Sequence, residues 1–255
     1  MYTPGEIYQN YITSAKNKTS AIWYKTLILA VLAGAFIAFG AAASTAASAT
    51  FDGSAASVIK AAVFPLGLIL VVICGAELFT GNCLLVIPAA SKEIKLTALL
   101  KNWGIAYGGN LIGGVLIAVI VVYSGVQSDA ANIACIATAA NKCNMNFGIA
   151  LLRAIPCNIL VCLAVWAAMS SKSAAGKITA LYMPVFAFVV CGFEHSVANM
   201  YYLSAGLLSG NVDGLNVGNA LLYCLLPTTL GNIIGGALIA TAFYAAFKPK
   251  RNKNC

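Results

Sequence analysis

Charge is scarce in this chain: 9% of its 255 residues are Asp, Glu, Lys or Arg, with seven acidic side chains and one histidine. A water-soluble domain carries about 25% charged residues, so an ordinary soluble globule is excluded. A lone histidine, and nine cysteines without any Cys-x-x-Cys, argue against a zinc site, and no metal or other cofactor is expected. No Gly-x-Ser-x-Gly elbow marks a serine hydrolase. The opening Met1-Tyr2-Thr3-Pro4-Gly5-Glu6 lacks the basic stretch and apolar core of a secretory signal, so no cleaved leader is expected. What the chain has in abundance is apolar surface, at 61% hydrophobic residues.

The net charge of +8 would suit nucleic acid, but its placement argues against that partner. Twelve of the fifteen Lys/Arg fall in the segment up to Lys25, the Lys92–Lys101 connection, the Lys172–Lys177 connection and the tail from Lys248. These places share one side of a bilayer if the chain crosses six times, whereas Asp52, Asp129 and Asp213 fall on the other. Lys/Arg bias sets orientation, so both termini are expected in the cytoplasm, in a multi-pass protein of the cell (inner or plasma) membrane.

A span needs about 20 apolar residues. Six stretches qualify: Thr26–Phe51, Ala61–Ser91, Asn102–Ser128, Phe147–Ser171, Ile178–Val212 and Gly214–Phe247. Two strings recur. Cys74-Gly75-Ala76-Glu77 returns as Cys191-Gly192-Phe193-Glu194, and Gly109-Asn110-Leu111-Ile112-Gly113-Gly114 returns as Gly231-Asn232-Ile233-Ile234-Gly235-Gly236. The chain is thus an internal duplication, expected as one transmembrane domain over 1–255: an amphipathic helix at 1–20, repeats at 26–124 and 146–247, and a basic tail at 248–255. Three spans per repeat is an odd number, so the repeats run in opposite senses. The second and fifth spans, interrupted by glycine and carboxylate, then meet at the midplane, and such paired interruptions point to a transport site. The glycine pairs closing the second string permit close helix approach.

Non-helical backbone at membrane depth is tolerated where it is packed in protein or lines a cavity, and ionisable residues there are functional candidates. His195 is the first: a lone histidine in a soluble core is usually a satisfied polar residue, but in the middle of a broken span it reads as a pore residue. The matching places of Glu77 and Glu194 favour loops tied down through backbone N–H groups over a proton relay. Phe64, Phe79 and Phe188 read equally as core or as pore aromatics. Arg153 opens the fourth span as a snorkelling residue or a subunit contact. Val126–Cys143 reads as the main outward loop, in which Cys135 and Cys143 could pair under oxidising conditions. Thr3-Pro4-x-Glu6 is a capping box with proline in the first turn, followed by Ile7, Tyr8, Tyr11, Ile12 and Ala15 at helical spacing. That predicts a short cytoplasmic helix, an interfacial anchor in preference to a cover over a pore mouth.

At these residues the chain resembles the formate–nitrite transporter family. The match runs through Gly67-Leu68-Ile69-Leu70 to Cys74-Gly75-Ala76-Glu77-Leu78-Phe79-Thr80, then Lys101-Asn102-Trp103, then Asn158 and Val161 to Trp166. It continues with Gly192-Phe193-Glu194-His195-Ser196-Val197-Ala198-Asn199-Met200 and Gly231 to Gly236. The resemblance implies an all-α, aquaporin-like membrane fold of six helices in two inverted repeats, broken in the second and fifth, and a homopentamer with one pore per protomer. It implies His195 as the pore histidine, Phe64 and Phe188 with nearby Phe79 as the outward constriction, and Leu68, Leu78 and Val161 as the inward one. Thr80, Asn158 and Asn199 match polar pore residues, and Lys142 matches a vestibule lysine that draws anions in. The loop reads Thr80-Gly81-Asn82, where the formate-selective branch has Thr-Ser-Thr and the nitrite branch Thr-Gly, so formate, nitrite and hydrosulfide all stay open as the small anion partner.

The expected function is therefore a channel for such anions, passing them as the protonated acid. Its rival is a proton-coupled secondary carrier of the same anions. An intramembrane hydrolase using Ser196 or a cysteine with His195 is a remote alternative, because adjacent residues seldom point at each other. A water or glycerol channel would fit the inverted repeat, but its Asn-Pro-Ala pair is missing.

Overall fold

The computed structural model describes residues 1–210 and 212–249. Most of the expected basic tail (250–255) lies outside them. Among the described residues there is no strand. The helices are α1 (Pro4–Ser20), α2 (Trp23–Ser48), α3 (Gly53–Val63), α4 (Leu66–Ile73), α5 (Val86–Ala90), α6 (Leu96–Tyr123), α7 (Asp129–Cys143), α8 (Phe147–Met169), α9 (Ala174–Val190), α10 (Ser196–Ser209), α11 (Val217–Asn219) and α12 (Leu226–Phe247). A 3₁₀ turn, Gly81–Leu85, leads into α5, and a π turn, Ala220–Leu225, leads into α12.

Among the described residues, five helical stretches are long and apolar enough to cross a bilayer: Trp23–Ser48, Gly53–Ile73, Leu96–Tyr123, Phe147–Met169 and Val217–Phe247. The expected fifth span is divided: α9 has 17 residues, and the crossing is completed by α10 after a break at Cys191–His195. The second span begins earlier than expected, at Gly53, and breaks at Cys74–Thr80.

Small residues set the packing. α2 lies along α6, and α8 along α12. A Cβ at Gly113 would overlap the Val31 carbonyl, and one at Gly235 the Ile155 carbonyl, so the duplicated glycines let each pair of backbones touch. The two halves also interlock. α10, the far piece of the fifth span, packs on α6 and α2 of the first half, while Gly81–Leu85 and α5 pack on α12 and α8 of the second.

Two expectations are corrected. The region Val126–Cys143 is largely helix: Ser128 caps α7 through the Ala131 N–H, and Ala131, Cys135, Ala139 and Cys143 are buried beneath it. Cys135 and Cys143 stand eight residues apart on this one helix, about 12 Å of rise, too far for a disulfide, and both are free thiols. The N-terminal helix forms with its capping box intact, Glu6 Oε2 accepting from Thr3 N at 2.7 Å. Its apolar face does not lie on lipid, however. Ile7, Tyr8, Tyr11, Ile12 and Ala15 are buried against Leu84, Leu85, Ile87, Leu99 and Trp166, so α1 is clamped across α5, α6, α8 and α12.

Candidate functional site

Each break starts in the same way. Gly75 has φ +72° and Gly192 φ +69°, the left-handed geometry that glycine adopts without a Cβ penalty. Ala76 N then donates to Val71 O at 2.8 Å and Phe193 N to Phe188 O at 3.0 Å, the bond that closes a Schellman motif and ends a helix. The following residues run without helical hydrogen bonds at the centre of the protein, and each buried peptide group there needs a partner.

Asn110 and Asn232 supply those partners. Asn110 Oδ1 accepts from Phe79 N at 2.9 Å, while its Nδ2 donates to Glu77 O at 3.0 Å and to Ala30 O at 2.7 Å. Asn232 Oδ1 accepts from Ser196 N at 2.8 Å, while its Nδ2 donates to Glu194 O at 2.9 Å and to Ala154 O at 2.8 Å. The duplicated Gly-Asn strings are therefore the anchors of both breaks, a role that the sequence reading left unassigned.

The two carboxylates act differently from the expectation that they accept backbone N–H groups. Glu77 accepts from Lys18 Nζ at 2.8 Å and from Asn82 Nδ2 at 2.7 Å. Glu194 Oε2 accepts from Lys142 Nζ at 2.6 Å and from Asn199 Nδ2 at 2.8 Å. Both carboxylates are buried, and a buried charge needs a counter-charge in place of solvent. Lys18 on α1 and Lys142 on α7 supply it. The same number of residues separates Lys18 from Lys142 as separates Ala30 from Ala154, so the duplication extends outward to include α1 and α7.

His195 sits between the halves. As N-cap of α10 it accepts the Ala198 N–H at Nδ1, 3.1 Å away. Its Nε2 lies 2.9 Å from Thr80 Oγ1. With Nδ1 accepting, the proton of the neutral ring is on Nε2 and points at Thr80. The imidazole stacks on Phe188 with centroids 5.8 Å apart, and Phe188 meets Phe64 edge-on at 5.7 Å.

A cavity of about 260 Å³ opens above this cluster, on the α7 side. Its wall includes Lys60, Phe64, Lys142, Phe188, Glu194 and His195, together with Asn199 and Tyr202. Six of the candidate residues, His195, Lys142, Asn199, Glu194, Phe64 and Phe188, are thus brought to one cavity, with Thr80 hydrogen-bonded to its histidine. Others are placed elsewhere. Phe79 packs edge-on against Tyr107 at 5.0 Å and Trp103 at 6.0 Å, off the cavity wall. Asn158 donates to Asn232 O at 2.6 Å and so ties α8 to α12. Leu68, Leu78 and Val161 are buried in the central apolar cluster and are not on the cavity wall. Arg153 is exposed on the protomer and lends its carbonyl to Glu194 N at 3.2 Å.

The family model described as formate/nitrite transporter matches residues 5–246. The chain belongs to that family. It is 39% identical over 262 residues to an uncharacterized transporter, YrhG, of Bacillus subtilis, covering 98% of this chain and 95% of that one. It is 34% identical to the formate channel BtFdhC of Bacillus thuringiensis, with 98% of each chain covered. Among solved structures, a pentameric formate channel with formate bound superposes with a TM-score of 0.81 at 32% identity, covering 89% of this chain and 98% of that one. Membership of a family of channels and transporters sets the hydrolase alternative aside. The geometry agrees, since both nitrogens of His195 are taken, by Thr80 and Ala198, and neither by Ser196 nor by a cysteine.

Proposed function

We propose that this protein is a homopentameric channel for small monovalent weak-acid anions, formate, nitrite or hydrosulfide, passing them as the neutral acid through one pore per protomer. The observation that carries this reading is the fixed imidazole. Its Nδ1 is engaged by the α10 backbone, and its Nε2–H faces Thr80 at the floor of a lysine-lined cavity. The pentamer rests on likeness to the solved pentameric formate channel. Cytoplasmic termini and a cell-membrane location rest on the Lys/Arg placement.

Solvation physics selects the permeating species. A bare anion crossing an apolar constriction loses solvation worth tens of kcal/mol. Protonating a carboxylate of pKa about 4 at pH 7 costs roughly 4 kcal/mol, at 1.36 kcal/mol per unit. Phe64 and Phe188 form the outward constriction, and Leu68, Leu78 and Val161 the inward one. Between them Nε2–H and the Thr80 hydroxyl replace water for a small oxygen acid. Lys142, paired with Glu194, lies on the cavity wall, and Asn199 and Asn158 hold the surrounding frame. His195 acts as a neutral donor in this scheme: a second proton on the ring would force Nδ1 to release the Ala198 N–H.

Initial formate uptake into proteoliposomes, corrected for empty vesicles, tests the scheme. At fixed total formate, uptake should rise about tenfold for each unit that pH falls between pH 7.5 and 5.5, following the neutral fraction. Nitrate, the anion of a strong acid, should pass poorly. A flat pH profile, or nitrate uptake equal to formate uptake, would overturn passage as the neutral acid.

A further inference from the structure

The cavity above Phe64 and Phe188 has two lysines on its wall, and they differ in what surrounds them. Lys142 lies 2.6 Å from Glu194, with side chains 14% and 7% exposed. The Lys142 ammonium also sits 5.8 Å from the centroid of the Tyr202 ring. Opposite charges held this close largely cancel at the distance from which an anion approaches. Lys142 therefore stabilises Glu194 and the break beneath it, and adds little to the long-range field of the mouth.

Lys60 has no such partner. It is half-buried on the last turn of α3 and faces the same cavity. Among the described residues it forms no ion pair, and Glu194 is the only carboxylate on the cavity wall. With Lys142 and Glu194 balanced, the unbalanced positive charge of the cavity belongs to Lys60. Its register matters too. Phe64 is four residues further on, and Phe64 N donates to Lys60 O at 3.0 Å. Residues at this spacing share a helix face. The backbone of Lys60 is thus set about 6 Å along the axis from that of Phe64 in the aromatic constriction.

We propose that Lys60 is the anion-recruiting residue of the outward cavity. It creates, with Lys142 beside it, a site for a small monovalent anion immediately above Phe64. The inference rests on the reading that small anions are the cargo, and the experiment separates the two.

Uptake of formate into proteoliposomes is measured against concentration for the wild-type chain, Lys60→Gln, Lys60→Arg and Lys60→Glu. Focusing of charge in a cleft raises local counter-ion concentration by about 10- to 1,000-fold. Lys60→Gln should therefore raise the half-saturating formate concentration by about tenfold at low ionic strength, and Lys60→Glu by more. Lys60→Arg should stay close to wild type. The difference should shrink in about 1 M salt, where the Debye length falls to about 3 Å. Wild-type concentration dependence in Lys60→Gln and Lys60→Glu at low salt would overturn the proposal. Acetylation of Lys60 by a membrane-impermeant amine reagent, followed by mass spectrometry, gives a readout independent of transport, and formate should slow it. Protection of Lys60 in a chain that passes no formate would uphold the site and overturn the channel. Normal uptake with neither protection nor a Lys60→Gln shift would uphold the channel and overturn the site.

Discussion

The two breaks of this molecule share a frame and differ in what the frame holds. In one, Asn110 ties down the backbone around Glu77, and Glu77 is satisfied by Lys18 and Asn82. In the other, Asn232, Glu194, Lys142 and Asn199 repeat these bonds, except that the contact from Lys18 to Asn82 Oδ1 has no equivalent at Asn199. Even the neighbour of the second asparagine corresponds: Asn82 Nδ2 reaches Asn102 Oδ1, where Asn199 Nδ2 reaches Cys224 Sγ. The residue after the glutamate is where they part, Leu78 in one half and His195 in the other. The two supports match, and at this position one half carries an apolar leucine and the other an imidazole whose Nε2 faces Thr80 of the first half. The lesson is that symmetric positions carry stability here, and asymmetric ones carry chemistry.

That division can be broken in three ways. The largest expected effect is on the ion pairs. Removing one partner of a buried pair costs about 3–5 kcal/mol, so Glu194→Gln should lower unfolding stability in detergent by about 4 kcal/mol. Glu77→Gln should cost roughly half that, because Lys18 is 26% exposed against 14% for Lys142 and water can reach its ammonium. Equal losses from the two substitutions would show that burial does not set their weight. Next come the asparagines. Asn232→Ala leaves the Ser196 N–H and the Glu194 carbonyl without partners and should cost about 2–3 kcal/mol by thermal unfolding. Asn110→Ala should match it within about 1 kcal/mol, and a wide gap would mean that the two anchors are not equivalent. The smallest effect in energy is the one on transport. His195→Leu gives this position the residue of the other half and removes one buried donor, worth about 1.4 kcal/mol or tenfold. Formate uptake should fall at least that far, with some loss of melting temperature because the Ala198 N–H loses its cap, and unchanged uptake would place the chemistry elsewhere.

Much of this frame was legible beforehand because duplication writes itself twice. The strings around Glu77 and Glu194 and around Asn110 and Asn232 exposed both breaks, and the odd number of spans per repeat exposed the inversion. The role of the asparagines was not legible, since a Gly-Asn-x-x-Gly-Gly string looks like helix packing until the loops it holds are seen opposite. The pairing of α1 with α7 was hidden for a different reason. Lys18 and Lys142 share only a short, gapped string, Ile12-x-Ser14-Ala15-x-Asn17-Lys18 against Ile136-x-Thr138-Ala139-x-Asn141-Lys142, too brief to stand out without their equal offset from the following helix. α7 itself was mistaken for a loop because its alanines and asparagines form neither an apolar run nor a strong amphipathic stripe. Among the candidate residues, the contacts of Phe79 with Trp103 and Tyr107 were not legible, since those residues lie on a helix far along the chain. Asn158 looked like a pore residue, yet its side chain is used to bridge two helices.

The exchange of far pieces between the halves has a consequence for biogenesis. A nascent chain released after α6 would carry Gly81–Leu85 and α5 with no α8 or α12 to lean on, and their polar backbone would face acyl chains. The first three crossings must therefore wait, incompletely docked, until the last ones leave the ribosome. Maturation should be a late, concerted event, and truncated or split products should be cleared by quality-control proteases long before they could leak ions.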